Sequence, residues 1–209
     1  MKTLLGTVLV FLSACSGPTL EPEEVLKDTN QGVKIMSQKI YTNEPTMQID
    51  VTKSYIAIIN TNLGEITVDL FGETAPNTVN NFIFLSKDKF YDDVIFHRVI
   101  SGFMIQGGDA SGTGHGDKGR YPGYKFADEL NNPQKYDRGI VAMANSGPNT
   151  NGSQFFIMHK DYPLPYEYTI FGIVTKGLAV VDAIAATATT TDDRPLDDIV
   201  IIDVQIDEK

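Results

Sequence analysis

From position 55 onward, the spacing of apolar and polar residues predicts a domain built mainly from β-strands. Residues 55–61 are apolar and β-branched, residues 62–64 supply a turn, and residues 65–71 then alternate between apolar and polar side chains. This combination predicts a β-hairpin. Comparable runs predict six further strands, at 94–99, 103–106, 140–144, 154–158, 169–174 and 199–206.

Two segments show the spacing of an amphipathic helix instead. Thr74 and Pro76 are typical of a helix start with Thr74 as the cap, and Val79 and Phe82 follow on one face. Residues 177–186 carry a second apolar stripe. Eight strands and two helices predict a mainly β fold, a closed antiparallel barrel capped by the helices, because closure leaves no exposed sheet edge.

The N-terminal segment has a different character. Lys2 and the apolar run 3–12 are typical of a secretory signal peptide, and the run is too short to span a bilayer. The next residues, Leu-Ser-Ala-Cys at 12–15, resemble the lipobox of bacterial lipoproteins. We therefore expect a signal peptide at 1–14 and lipidation of Cys15. A plain secretory signal with an incidental cysteine is the alternative.

Residues 15–53 lack strong periodicity and contain three prolines. We interpret them as a lipidated N-terminus and flexible tether, with an extension packed on the domain as the alternative, and we expect the folded domain at 54–209. Several acyl chains would give a stable anchor. The protein is then expected outside the cytoplasm, held to a bacterial membrane at the cell surface or the periplasmic face.

Composition and charge exclude several kinds of function. The chain has 209 residues, which suits one domain with an extension, and its formal net charge of −10 argues against wrapping a nucleic acid. Cys15 is the single cysteine, so neither an intramolecular disulfide nor a cysteine-rich zinc site can form. His97, His115 and His159 lack metal-ligand spacing. We expect no metal and no cofactor.

Three segments carry the candidate chemistry: 96–109, 143–157 and 168–172. Alternate residues of adjacent strands share one face, which here would present Arg98, Phe103, Met104, Gln106, Asn145 and Phe156. A charge and two carboxamides are unusual for a core, because burying an unpaired arginine is costly. An apolar floor with a few placed donors is typical of a ligand-binding groove.

These segments closely resemble the signature stretches of the cyclophilin family of peptidyl-prolyl isomerases. The resemblance covers residues 55–206 and implies the eight-stranded cyclophilin barrel with two capping helices. It also implies an activity: acceleration of cis–trans rotation about the peptide bond before proline, with no cofactor.

The resemblance implies roles for individual residues as well. The catalytic set is Arg98, Phe103, Gln106 and Asn145. The substrate-binding set is Met104, Gly112, Ala144, Gln154, Phe156, Leu164 and Tyr168. Two positions depart from the family, which often has tryptophan where Pro163 stands and histidine where Tyr168 stands.

We expect proline-containing polypeptides and, through the anchor, a membrane as partners, with no nucleic acid and a monomeric state. The leading hypothesis is an isomerase that assists the folding of exported proteins. A proline-peptide-binding chaperone or scaffold module with little turnover is the alternative, and a structural envelope protein is a third class.

Overall fold

A computed structural model of the chain describes residues 39–115 and 122–209. Within these ranges the chain forms eight strands and two helices. The strands are β1 (Tyr55–Thr61), β2 (Gly64–Leu70), β3 (Arg98–Ile100), β4 (Met104–Gly107), β5 (Ile140–Met143), β6 (Phe155–Met158), β7 (Ile170–Lys176) and β8 (Ile201–Glu208). The helices are α1 (Pro76–Lys87) and α2 (Leu178–Ala185). No helix in this described part is long and apolar enough to cross a membrane. The expected signal peptide, Cys15 and the first part of the tether lie outside it.

The sheet is an open half-barrel, so the closed barrel expected from the sequence is wrong. Its strand order is β3-β4-β6-β5-β7-β2-β1-β8, with antiparallel neighbours, and β3 and β8 are the two edges. Where the sequence predicted a strand at 94–99, the structure has only β3, which is three residues long and begins at Arg98. Its outer edge meets a loop, because the Val99 N–H donates to the Asp193 carbonyl at 2.8 Å. An isolated bridge between Ile95 and Val200 takes the place of a ladder.

The central strands bury side chains on both faces. In β5, Val141 and Met143 belong to the main core with residues of both helices, whereas Ile140 and Ala142 belong to a second apolar cluster. Successive side chains of a strand point to opposite faces, so the two clusters lie on either side of the sheet. This double burial explains why β5 and β6 are continuous apolar runs rather than alternating ones.

Helix α1 is capped by a residue that is distant in the sequence. The predicted cap, Thr74, is not the N-cap residue; that position is Ala75, which makes no side-chain capping bond. The Glu129 carboxylate instead accepts the N–H groups of Asn77 at 3.0 Å and Thr78 at 2.8 Å. It thereby satisfies donors that a helix start leaves unpaired and places a negative charge at the positive end of the helix dipole.

Residues 39–53 pack on the domain. Ile49 is buried in the main core, and the Tyr41 ring meets the Phe84 ring edge-on at 5.1 Å. The Tyr41 hydroxyl donates to the Asp88 carboxylate at 2.6 Å. Two residues of the segment interpreted as a tether, Tyr41 and Ile49, therefore contact the folded domain.

Candidate active site

A cavity of about 220 Å³ opens over the second apolar cluster, and we call it the main cavity. Its lining consists of Arg98, Phe103, Met104, Gln106, Ala144, Asn145, Phe156, Leu164 and Tyr168. All nine belong to the eleven residues that the sequence assigned to catalysis or substrate binding. The remaining two, Gln154 and Gly112, are not part of this lining.

Strand register brings the polar and apolar groups of the cavity into one row. Arg98 of β3 pairs with Gln106 of β4, and Gln106 pairs in turn with Phe156 of β6. Directly paired residues of adjacent strands project from the same face. A guanidinium, a carboxamide and an aromatic ring therefore stand side by side across three strands.

The floor of the main cavity is apolar and well packed. Met104 and Phe156 are almost fully buried, and the Tyr168 ring stands nearly perpendicular to the Phe156 ring with centroids 5.6 Å apart. The hydroxyl of Tyr136 donates to the Tyr168 carbonyl at 2.9 Å and accepts the Tyr168 N–H at 3.1 Å. These two bonds hold Tyr168 in place as a wall of the cavity.

Hydrogen bonds connect Gln154 and Gly112 to their surroundings. Gln106 Nε2 donates to Gln154 Oε1 at 3.0 Å, and Gln154 Nε2 donates to the Gly114 carbonyl at 3.2 Å. Gln154 thus orients Gln106 against the glycine-rich loop. Gly112 of the same loop has a φ of 65° and accepts a hydrogen bond from Arg194 Nη1 at 2.6 Å. A left-handed backbone of this kind favours glycine.

Asn145 ties two walls of the cavity together. Its Nδ2 donates to the Glu167 carbonyl at 2.9 Å, and its Oδ1 accepts the Gly147 N–H at 3.2 Å. The neighbouring Ala144 N–H donates to the Gln154 carbonyl at 2.9 Å. This network fixes the position of the Asn145 main chain relative to β6.

Two residues at the site were not predicted from the sequence, and no local pattern indicates them. Asp193 places a carboxylate oxygen 3.4 Å from Arg98 Nε, although 95 positions separate the two residues. Tyr162 lies against Phe103, with ring centroids 4.5 Å apart. Neither neighbour can be read from local spacing, because both contacts depend on how distant loops fold back on β3 and β4.

Of the histidines, His97 is buried and His159 holds a turn. Burial lowers the pKa of His97 to about 4, and neither of its ring nitrogens has a hydrogen-bond partner among the described residues. His159 Nδ1 accepts the Gly102 N–H at 2.9 Å and so holds the turn that carries Phe103. Across residues 39–115 and 122–209, no group of three or more His, Cys, Asp or Glu side chains is placed to hold a metal ion.

Comparison with known proteins shows the family. The sequence profile described as cyclophilin type peptidyl-prolyl cis-trans isomerase/CLD matches residues 56–206. The chain belongs to the cyclophilin family. This cyclophilin is 47% identical over 179 residues to the probable peptidyl-prolyl cis-trans isomerase A of Mycobacterium leprae, which covers 75% of this chain and 96% of that protein. It is 49% identical over 143 residues to peptidyl-prolyl cis-trans isomerase CYP18-1 of Arabidopsis thaliana, and the match covers 68% of this chain and 89% of that protein.

Solved structures show the same cyclophilin fold. A crystal structure of a cyclophilin type peptidyl-prolyl cis-trans isomerase from Cryptosporidium parvum has a TM-score of 0.69 and 40% identity, covering 74% of this chain and 98% of that one. A second crystal structure of that protein, in the presence of the dipeptide Ala-Pro, has a TM-score of 0.68 and covers 73% of this chain and 98% of that one. The predicted family, an enzyme family of isomerases, is confirmed, as is the mainly β fold with eight antiparallel strands and two helices.

Proposed function

We propose that this cyclophilin accelerates cis–trans rotation about Xaa-Pro bonds in exported polypeptides. The observation that carries the proposal is the row of Arg98, Gln106 and Phe156 along a cavity with an apolar floor. Rotation about a peptide bond meets a barrier of about 18–20 kcal/mol, because the C–N bond has partial double-bond character. No bond is made or broken, so the enzyme has only to bind the twisted amide more tightly than either planar form.

The main cavity would hold the proline ring. Its volume of about 220 Å³ suits one small ring, and its apolar surface is supplied by Phe103, Met104, Phe156 and Leu164. Burial of the ring stabilises the complex and excludes water from the reacting amide. Gln106 and Asn145 would hold the chain on one side of the ring, which leaves the other side able to rotate.

Arg98 would supply the stabilisation that is specific to the twisted amide. When resonance is lost, the proline nitrogen becomes pyramidal and gains a lone pair that can accept a hydrogen bond. An arginine suits this task, since its guanidinium is always charged and its planar donors are preorganised. Acceleration from tens of seconds to milliseconds is about 10⁴-fold, or roughly 5–6 kcal/mol. A dry pocket and a directed hydrogen bond are sufficient for an effect of that size.

We further propose that Cys15 is lipidated and holds the enzyme on the extracytoplasmic face of a bacterial membrane. The support is the short apolar run at 3–12 followed by Leu-Ser-Ala and the single cysteine of the chain. Unfolded exported proteins emerge on that side of the membrane, and slow Xaa-Pro rotation limits their folding. An anchored isomerase would assist them there.

The proposal is tested by measuring cis–trans exchange in a short Xaa-Pro peptide by NMR with the full-length chain. We expect Arg98→Ala to lower turnover roughly 10²- to 10³-fold while peptide affinity changes only a few-fold, because the contact strengthens in the twisted state. Arg98→Lys keeps the charge but loses the planar fork and should also be slow. Lys176→Ala, which removes an exposed cation from β7, should behave as the wild type.

The alternative, a proline-peptide-binding module, predicts a different result. The folded wild-type chain would bind the peptide without accelerating exchange, and Arg98→Ala would change little. Proline-free peptides of the same length separate both hypotheses from a structural envelope protein, which should show no dependence on proline.

A further inference from the structure

A second cavity of about 360 Å³ lies beside the main cavity. Its lining consists of Lys135, Tyr136, Asp137, Asp161, Tyr162, Pro163, Leu164 and Tyr166, and we call it the tyrosine cavity. Leu164 lines both cavities, so they adjoin at this residue. The sequence assigned no function to the aromatic residues of this second cavity.

Aromatic surface runs from one cavity into the other. The Phe103 and Tyr162 rings lie 4.5 Å apart, and the Tyr136 and Tyr166 rings lie 5.9 Å apart on the far side. Tyr162 and Tyr166 are nonetheless 47% and 40% exposed. Large aromatic side chains left open to solvent beside a ligand cavity are typical of a binding surface, because they offer apolar area with a polar edge.

The walls of the tyrosine cavity are held in place by hydrogen bonds and prolines. The Tyr162 N–H donates to the Tyr136 carbonyl at 3.1 Å, and the Leu164 N–H donates to the Tyr162 carbonyl at 2.9 Å. Pro163 and Pro165 restrict the backbone of the same segment. A preformed site loses little conformational entropy when a ligand binds.

The lining also restricts the kind of ligand. Lys135, Asp137 and Asp161 give the rim charges of both signs, so the cavity does not favour an anion such as a phosphate. Asp161 is moreover engaged, since its Oδ1 accepts the Arg138 N–H at 2.7 Å. The tyrosine rings, Pro163 and Leu164 supply apolar surface, and the volume exceeds that of the main cavity. These features fit a large apolar side chain.

We infer that the tyrosine cavity is a substrate subsite that takes an aromatic or large aliphatic side chain from the same polypeptide whose proline occupies the main cavity. The inference rests on the proposed function. Phe103, which touches Tyr162, immediately precedes β4, whereas Gln106 lies near the other end of that strand. A chain held by Gln106 would cross the proline position and continue over Leu164 into the tyrosine cavity.

The test uses a set of peptides with an Ala-Pro core. Each peptide carries one phenylalanine in place of alanine, at one of the three positions on either side of this core. NMR exchange with the full-length chain is the measurement, because it needs no coupled protease with preferences of its own. Phenylalanine at one position, on one side of proline only, should raise kcat/KM roughly tenfold through a lower KM, as expected for partial burial of an aromatic ring. At the other positions it should change kcat/KM by less than about twofold.

Two variants test whether the tyrosine cavity causes the preference for phenylalanine. Tyr166→Ala removes a wall of the tyrosine cavity that does not line the main cavity, and it should abolish the preference for phenylalanine. Ile202→Ala removes a comparably exposed apolar side chain from β8, outside both linings, and should keep it.

Two results would overturn the subsite: equal kcat/KM for all peptides, or a preference that persists in Tyr166→Ala. The all-alanine peptide separates this outcome from failure of the proposed function, since an enzyme lacking only the subsite still accelerates that peptide. If no peptide is accelerated, the proposed function fails, and the peptide affinities measured in the same samples still decide whether the cavity binds phenylalanine.

Discussion

Asp193 holds β3 with its main chain and Arg98 with its side chain. Its carbonyl accepts the Val99 N–H at 2.8 Å, and its carboxylate lies 3.4 Å from Arg98 Nε. The residue has a φ of 63°, a conformation that is costly for a residue with a side chain. A tight turn imposes it, in which the Thr190 N–H donates to the Arg194 carbonyl at 2.7 Å. The turn therefore presents a carboxylate to the guanidinium in a defined position.

We expect Asp193→Asn to lower kcat roughly three- to tenfold with little change in KM. An exposed ion pair adds little stability, but a guanidinium that samples more orientations spends less time aimed at the proline nitrogen. Asparagine tolerates the left-handed backbone, so the turn should persist. NMR exchange over a range of peptide concentrations measures both constants. Asp192→Asn removes the same charge from an exposed neighbour and should leave both unchanged; an equal effect of the two substitutions would argue against orientation of Arg98.

Acid should destabilise the fold through His97. Burial lowers the pKa of this histidine from 6.5 to about 4, so the unfolded chain binds a proton more readily than the folded one between these values. The free energy of unfolding should therefore decrease as the pH falls from 6.5 towards 4, by about 3 kcal/mol from this residue. Urea unfolding at pH 7, 5.5 and 4 measures the change.

Substitution separates His97 from other groups that titrate in the same range. His97→Leu removes the buried imidazole and should flatten the pH dependence. His115→Leu changes an exposed histidine and should keep the slope of the wild type. A steep slope that survives in His97→Leu would mean that other groups cause the acid sensitivity.

Removal of the distant helix cap should reduce stability. Glu129→Ala takes away the acceptor of two N–H groups at the start of α1, and we expect the free energy of unfolding to fall by about 1–2 kcal/mol. Glu73→Ala removes an exposed carboxylate near the same helix end and should cost less than about 0.5 kcal/mol. Urea denaturation of the two variants distinguishes the effect of losing the helix cap from the effect of losing a negative charge near the helix.

Membrane attachment should depend on Cys15. Cys15→Ser removes the atom that would carry the acyl chains, so we expect the protein to move from the membrane fraction to the soluble fraction of cells that express it. Fractionation by ultracentrifugation with detection of the protein measures this. A Cys15→Ser protein that still sediments with membranes would contradict lipid anchoring.

The local sequence was sufficient to predict most of the strands and helices and the residues that line the main cavity. Strict alternation in residues 65–71 defined β2, because a strand with one buried face repeats every two residues. The long signature segments 96–109 and 143–157 identified the family, and with it all nine residues that line the cavity. These features are carried by neighbouring positions, which is why a single sequence reveals them.

Tertiary structure alone decided the features that depend on distant contacts. The half-barrel is open, and a loop reaches the edge of β3 through the Asp193 carbonyl. Glu129 caps α1 across 51 positions of sequence, and Tyr162 reaches Phe103 only after both loops have folded. Each contact joins residues whose spacing along the chain has no period and no motif. Their proximity is set by the register and packing of the whole sheet, so no local pattern records it.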